Sequence, residues 1–440
     1  MTSAASFPFH PISAPDYVPL DKLRELQSDR LVRMVKRVYE NVPLYRERMQ
    51  SKGVKPEDIH DITDISKLPF TMKADLRDTY PNGLFASPQK DIVRLHASSG
   101  TTGKPIVVAY TQDDLNVWKE TVARALVGFG LKKEDIIQNS FGYGLFTGGL
   151  GLHDGVERLG ATVIPVSGGN TQRQIMLMRD FQVTAISCTP SYFIHLIDKA
   201  KELGFDLREF PLKTGIFGAE PWTDAMRKKI EEMAGIRAYD IYGLSEIVGP
   251  GVGAQCCMQE GLHLFEDHYY PEIIDPETCE VLPDGQEGEL VLTTLSKDAM
   301  PMLRYRTRDL TTIESTACPC GRTIRRIRRI ARRSDDMLIL RGVNVFPSQI
   351  ETGILRVPGT TPHYQIVLTR VDGLDQIEVR VEVSAESLGD TVASVEIFRR
   401  SVTQSIENII GLRVKVTLVT PRTLERSEGK IKRVIDNRNA

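Results

Sequence analysis

Four short apolar runs leave this chain little choice of fold. They are Ile136-Ile137-Gln138-Asn139-Ser140, Thr162-Val163-Ile164-Pro165-Val166, Thr184-Ala185-Ile186-Ser187-Cys188 and Thr214-Gly215-Ile216-Phe217. Each is too short for a helix and lacks polar alternation, the pattern of a strand covered on both faces. Helical periodicity fills the gaps, as in Gln172 to Phe181 and Tyr192 to Leu203. Strand–helix–strand alternation over residues 91–335 predicts a parallel, doubly wound α/β sheet.

The flanks read differently. Leu20 to Met49 repeats apolar residues at helical spacing. After Asp335, Tyr364 to Thr369 and Ile377 to Val383 read as a hairpin joined through Asp372-Gly373. A helix from Val392 to Ile410, a strand from Val414 to Val419 and a polar tail, Arg422 to Arg438, follow. The expected fold class is α/β: a large N-terminal domain of doubly wound mixed sheets over 1–334, and a small α+β C-terminal domain over 335–440. A chain of 440 residues exceeds what one core usually holds.

Composition narrows the function classes. Fifty-six Lys and Arg against 58 Asp and Glu leave a net charge of −2, which argues against coating nucleic acid or an anionic membrane. The seven arginines from Arg322 to Arg333 suggest a nucleic-acid patch in isolation, but no aromatic residue is interleaved. No apolar run approaches the ~18 residues of a membrane span, and Pro8, Pro11 and Pro15 occupy the place of a signal-peptide core. Six cysteines are too few for a disulfide scaffold. A cytoplasmic protein with neither nucleic-acid nor membrane partner is expected.

The most informative octapeptide is Ser98-Ser99-Gly100-Thr101-Thr102-Gly103-Lys104-Pro105. Its glycines free the backbone to wrap a phosphate, four hydroxyls add donors, and Lys104 adds charge. It is not a Walker loop: Ser98 stands where the first glycine belongs, and Pro105 where the Mg²⁺-binding hydroxyl belongs. A surface turn is the alternative.

This loop resembles that of the acyl-adenylate-forming superfamily, and further motifs follow in the superfamily's order. Gly218-Ala219-Glu220-Pro221 resembles its adenine-flanking segment. Tyr242-Gly243-Leu244-Ser245-Glu246 resembles the motif whose Tyr stacks on adenine and whose Glu holds Mg²⁺. Tyr305-Arg306-Thr307-Arg308-Asp309 resembles the segment whose Asp takes both ribose hydroxyls. Arg333-Ser334-Asp335-Asp336 resembles the hinge, with Arg333 near the ribose and Asp335 the pivot, and Gly429-Lys430-Ile431 the motif of the catalytic lysine. Each also makes chemical sense alone: a carboxylate suits a ribose diol, Glu246 offers Mg²⁺ a hard oxygen, and Tyr242 gives a purine an aromatic face.

Within that superfamily the chain is similar to the phenylacetate–CoA ligase family over roughly residues 40–440. The Tyr-Gly-Leu-Ser-Glu form of the motif, Phe265-Glu266-Asp267-His268-Tyr269-Tyr270-Pro271-Glu272 and Arg341-Gly342-Val343-Asn344-Val345-Phe346-Pro347 carry the likeness. The resemblance implies ATP, Mg²⁺, coenzyme A and an aryl-acetic acid, phenylacetate first, in aromatic-acid degradation. The products would be aryl-acetyl-CoA, AMP and pyrophosphate. It further implies Lys430 for adenylation, Gly342 at the pantetheine channel once the small domain turns, and a homodimer. Phe141, Tyr143 and Phe146, in the glycine-rich run 141–149, are candidates for the aryl pocket, with a packed aromatic cluster as the alternative. Indole-3-acetate as substrate, a carrier-protein thiol or a cofactor as acceptor, and a non-catalytic ATP-binding regulator are the competing functions.

Cys318-Pro319-Cys320-Gly321 carries two thiols in a tight turn, with Cys256 and His263 about 60 residues upstream. Three sulfurs and an imidazole suit a closed, structural Zn²⁺ site. Cys257 is an alternative to Cys256, and free thiols are the alternative to a metal.

Overall fold

The computed structural model describes residues 10–97, 105–314, 316–330, 332–340, 343–371, 374–383, 392–426 and 431–438. All four apolar runs are strands. With Arg237–Leu244 they form five parallel strands, ordered Thr162–Pro165, Ile136–Asn139, Ala185–Cys188, Thr214–Phe217, Arg237–Leu244. Every residue of Ala185–Cys188 and Thr214–Phe217 is buried, which is why those runs need no polar alternation. From Ile136–Asn139 the chain first adds a strand on one side, then crosses to add Ala185–Cys188 on the other. Such a reversal opens a crevice beyond the carboxyl ends of the strands, where α/β proteins place ligands.

The parallel alternation stops at Leu244, not at residue 335. Beyond it the same twelve-stranded sheet continues antiparallel through Gly249–Ala254, Leu262–Leu264, Arg326–Ile327, Tyr305–Glu314, Glu287–Thr294 and Tyr269–Ile274. Arg332–Arg333 pairs alongside Tyr305–Glu314. The turn into this half is made by glycine: a Cβ on Gly243 would lie 1.8 Å from the Gly249 carbonyl oxygen. Near the chain start, helix Leu20–Asn41 ends at Val42, and Pro43, which needs no helical N–H partner at a first position, opens helix Pro43–Ser51.

The arginine run is neutralised within the fold. Arg322 pairs with Asp16, Arg325 with Glu266, Arg328 with Glu314, Arg329 with Asp240, Arg332 with Glu287 and Arg333 with Asp309. Arg326 donates to the Glu260 and Thr316 carbonyls.

The smaller C-terminal domain has its own core of Val345, Ile350, Ile354, Ile366, Val379, Val402 and Ile406. Its four-stranded sheet runs Lys415–Val419, Leu374–Val383, Thr360–Val371, Val434–Asp436, covered by helices Pro347–Leu355 and Val392–Ile410, and Leu338–Leu340 pairs separately with Val343–Val345. Helix Val392–Ile410 and strands Thr360–Val371, Leu374–Val383 and Lys415–Val419 lie where periodicity puts them, whereas helix Pro347–Leu355 was not expected; Asp372-Gly373 lies outside the described residues. The polar tail is corrected: Val434–Asp436 pairs parallel with Thr360–Val371, too short a run to stand out among charges. Among the described residues no helix is long and apolar enough to cross a membrane.

Candidate active site

At the carboxyl edge of the parallel strands lies a cleft of about 520 Å³. Gly218 follows Thr214–Phe217, Tyr242 lies near the end of Arg237–Leu244, and Phe141 lies two residues beyond Ile136–Asn139, so the sheet itself brings distant segments to one wall. Gly218 is held by close approach: a Cβ there would lie 2.5 Å from the Ile241 carbonyl oxygen. Gly218, Ala219, Glu220, Pro221, Tyr242, Gly243, Ser245, Glu246, Asp309 and Arg333 all line the cleft, with Phe141 and Phe146.

Tyr242, Asp309 and Arg333 form one cluster. The Tyr242 hydroxyl donates to Asp309 Oδ2 at 2.6 Å, and Arg333 Nη1 donates to Oδ1 at 3.0 Å. Strand register makes the second contact, because Asp309 and Arg333 are direct partners. Arg333 also grips Asp335 through Nε at 2.8 Å and Nη2 at 3.1 Å, so ribose and pivot candidates share one guanidinium. Burial pushes the Asp309 carboxyl up to about 6, against the pull of Arg333 and the Tyr242 hydrogen bond.

Glu246 sits in the turn after Arg237–Leu244, buried at the cleft, with Lys73 Nζ 3.7 Å from its carboxylate. Glu246 and Tyr305 both line the cleft and interact through a side-chain hydrogen bond, and a carboxylate is the hard ligand a divalent cation takes. The turn is fixed from behind by Lys297, whose Nζ donates to the Ile247 carbonyl at 2.6 Å. Burial lowers Lys297 to about 8, opposed by Asp114 and Glu246. Ser245 exchanges a hydrogen bond with Thr147 at 3.0 Å. Lys73 and Lys297 were not legible in the sequence: each is a single lysine in a segment without a motif.

Glu220 is used inside the fold. Its carboxylate accepts from the Ser191 N–H at 2.7 Å and hydroxyl at 3.0 Å, and from the Ile431 N–H at 3.5 Å. Burial raises its carboxyl, offset by Arg433 and Ser191. The aromatic candidates divide: Phe141 and Phe146 line the cleft, whereas Tyr143 does not. Its hydroxyl accepts from Asn139 Nδ2 at 2.8 Å and lies 3.2 Å from His153 Nδ1.

Ser98, Ser99, Gly100, Thr101, Thr102, Gly103, Lys104, Gly342 and Lys430 lie outside the described residues. The strands on either side of 98–104, Arg94–Ala97 and Val107–Tyr110, pair antiparallel. Ala97 N–H donates to the Leu145 carbonyl at 2.8 Å, one residue from Phe146. Ile431, next after Lys430, lines the cleft.

The four metal candidates also come together. Cys256, His263, Cys318 and Cys320 present ligand atoms all within 4.8 Å of one another; Cys257 is not in the group. None of them lines the cleft.

Comparison with known proteins agrees with this architecture. The family model for AMP-binding enzymes matches residues 16–296, and that for the AMP-binding enzyme C-terminal domain matches 342–438. A phenylacetate–coenzyme A ligase of Pseudomonas putida is 53% identical over 423 residues, 96% of this chain and 95% of that one. Its counterpart from Thermus thermophilus is 49% identical over 435 residues, 96% and 98%. The crystal structure of 2-hydroxyisobutyryl-CoA ligase in the postadenylation state, in complex with R3-HIB-AMP, superposes with a TM-score of 0.92 at 29% identity, covering 100% of this chain and 94% of that one. The same enzyme with 2-HIB-AMP and CoA in the thioesterification state gives 0.71 at 30% identity, covering 97% and 92%. The chain belongs to the phenylacetate–CoA ligase family of AMP-binding enzymes.

Proposed function

We propose that this chain joins phenylacetate to coenzyme A at the expense of ATP, through phenylacetyl-adenylate, releasing AMP and pyrophosphate. The observation that carries the proposal is a single cleft with the Tyr242–Asp309–Arg333 cluster and Glu246 on its walls beside two phenylalanines. Ionised Asp309 takes both ribose hydroxyls, Tyr242 stacks on adenine, and Gly218 to Pro221 flank it. Phe141 and Phe146 form the apolar wall against the aryl ring.

The substrate carboxylate is ionised at pH 7 and attacks the α-phosphorus without a general base. The barrier is bringing anions together and stabilising charge that develops on phosphorus. Residues 98–104 hold the β and γ phosphates, and Lys430 spans the carboxylate and the α-phosphate. Glu246 would hold Mg²⁺, which when bound offsets phosphate charge. The CoA thiol, with a pKa near that of free cysteine at about 8.5, supplies enough thiolate for the second step.

Lys430 serves the first step and must leave for the second. The small domain, taken from residue 335, turns about Asp335 and brings Gly342 to the thiol's path. A TM-score of 0.92 against the postadenylation structure, beside 0.71 against both the thioesterification and the open structures of the same enzyme, supports a small domain that takes more than one position. A homodimer is part of the same proposal, read by light scattering on the eluting protein.

The direct test incubates the protein with ATP, Mg²⁺, CoA and phenylacetate, indole-3-acetate, benzoate or hexanoate, recording AMP and acyl-CoA by mass spectrometry. Phenylacetyl-CoA with matching AMP is expected. Pyrophosphate without acyl-CoA would move the acceptor to a carrier or cofactor, and no turnover with any acid would remove the proposal.

The pH profile offers a second test. Only the ionised carboxylate accepts both hydroxyls, so kcat/KM for ATP should rise through an inflection near pH 6. Asp309→Asn should erase that inflection, and Arg333→Met should move it upward, because Arg333 opposes the shift. Folding carries the opposite sign. The folded chain holds this proton more tightly than the unfolded one, so Asp309's contribution to stability is full below about pH 4 and lost as pH rises through 6. A profile flat from pH 5 to 8 would remove Asp309 from the ribose.

A further inference from the structure

The geometry points to a structural zinc ion held by Cys256, His263, Cys318 and Cys320, away from the reacting groups. All four ligand atoms lie within 4.8 Å of one another, and two of the separations match a tetrahedral metal site. With Zn–S near 2.3 Å and Zn–N near 2.0–2.1 Å, tetrahedral angles place two sulfurs about 3.8 Å apart, and a sulfur and nitrogen about 3.5 Å apart. Cys256 and Cys318 Sγ are 3.7 Å apart, and Cys320 Sγ lies 3.4 Å from His263 Nε2. A disulfide would need about 2.05 Å between the sulfurs, and all six cysteines are free. Cys256, His263 and Cys318 are 1%, 2% and 7% exposed, so bulk solvent does not account for their polar atoms.

The surroundings are those of a metal site as well. His263 Nδ1 lies 3.1 Å from the Ile324 carbonyl, an acceptor that fixes the ring with Nε2 toward the sulfurs. Gly321 adopts φ +84°, and its N–H donates to the Cys318 carbonyl at 3.0 Å, closing the turn that carries two of the ligands. Three thiolates around Zn²⁺ leave one net negative charge. Arg322, which interacts with Cys320 and donates to Asp16 at 2.9 Å, stands beside it. The protein fills all four positions, so none is open for catalysis.

The location gives the ion a task. Cys256 follows Gly249–Ala254, His263 is on Leu262–Leu264, and Cys318 and Cys320 lie between Tyr305–Glu314 and Arg326–Ile327. Leu262–Leu264 and Arg326–Ile327 join through only two residue pairs, yet they link the Tyr242 half of the sheet to the strand carrying Asp309. The ion clamps that narrow junction.

The test is metal content, which is read independently of ligase activity. Protein expressed in zinc-replete medium and purified under reducing, chelator-free conditions should carry about one zinc per chain by mass spectrometry of elements. Cobalt replacement should give the intense d–d and thiolate charge-transfer absorption of a tetrahedral site. Cys320→Ser should lose most of the metal, whereas Cys188→Ser, a buried thiol outside the cluster, should keep it. If Cys320→Ser does not fold, a mercurial titration of the wild type with a zinc-binding dye should release the ion as thiols are capped. Wild-type protein with less than about a tenth of a zinc per chain, an equal amount of another metal, or equal loss from both variants would overturn the inference.

Discussion

Lys430→Ala should lose roughly 10³-fold of the adenylation rate and still make phenylacetyl-CoA from supplied phenylacetyl-adenylate at close to the wild-type rate. The asymmetry follows from charge. In the first half-reaction a carboxylate approaches a polyanionic triphosphate, and a cation between them stabilises charge that grows on the way to the transition state. In the second, a thiolate attacks a carbonyl already activated by AMP, and Lys430 has no such task. The cleft supports the assignment, because Ile431 lines it and its N–H reaches Glu220. Pyrophosphate exchange reads the first step, and single-turnover thioester formation from synthetic adenylate the second. Lys430→Arg keeps the charge but changes its shape, so it should recover only part of the first rate. Equal loss in both steps would end the division of labour, and an unaffected exchange rate would remove Lys430 from catalysis.

What the sequence disclosed and what it hid divide along physical lines. Fully buried parallel strands are written as unbroken apolar runs, so Ala185–Cys188 and Thr214–Phe217 could be read directly. The antiparallel half could not: Gly249–Ala254 is Gly-Pro-Gly-Val-Gly-Ala, and Arg326–Ile327 and Arg332–Arg333 are two-residue strands rich in arginine. Their side chains are set by ion pairs from distant segments, such as Asp309 with Arg333, and no local pattern announces those. The cleft residues were visible as motifs because several chemical demands fall within a few consecutive residues, as in Tyr242 to Glu246. Lys73 and Lys297 reach the same turn singly, from separate segments. Tyr143 shows a different gap: aromatic spacing within a glycine-rich run suggests a pocket wall, but gives no sign of the hydrogen bonds its hydroxyl makes with Asn139 and His153.

The largest stability loss should come from Arg124, far from any motif. Helix Gln112–Gly128 buries this guanidinium completely, between Asp16 near the chain start and Asp267 in the antiparallel half. It donates to Asp16 Oδ1 at 2.6 and 2.9 Å, and to Asp267 at 2.9 and 3.0 Å, and lies 4.7 Å over the Phe265 ring. Arg124→Met would retain most of the packing but leave two buried carboxylates short of charge, with Arg322 and His268 as their remaining partners. Breaking one side of a buried ion pair typically destabilises by about 3–5 kcal/mol. For a domain of this size that lowers Tm by roughly 6–10 °C. Removing both carboxylates as well, with Asp16→Asn and Asp267→Asn, should restore part of the loss, because the penalty comes from unpaired charge. Burial alone would raise the Asp267 carboxyl, but His268 and Arg124 outweigh it and hold it well below its ordinary value. Its stabilisation is therefore present above about pH 4 and lost as pH falls toward its native value. Arg124→Met should flatten that acid limb, a change that lost packing would not produce. Calorimetry across pH 3–7 reads both effects, and a loss under about 1 kcal/mol would show that the network carries little of the fold's stability.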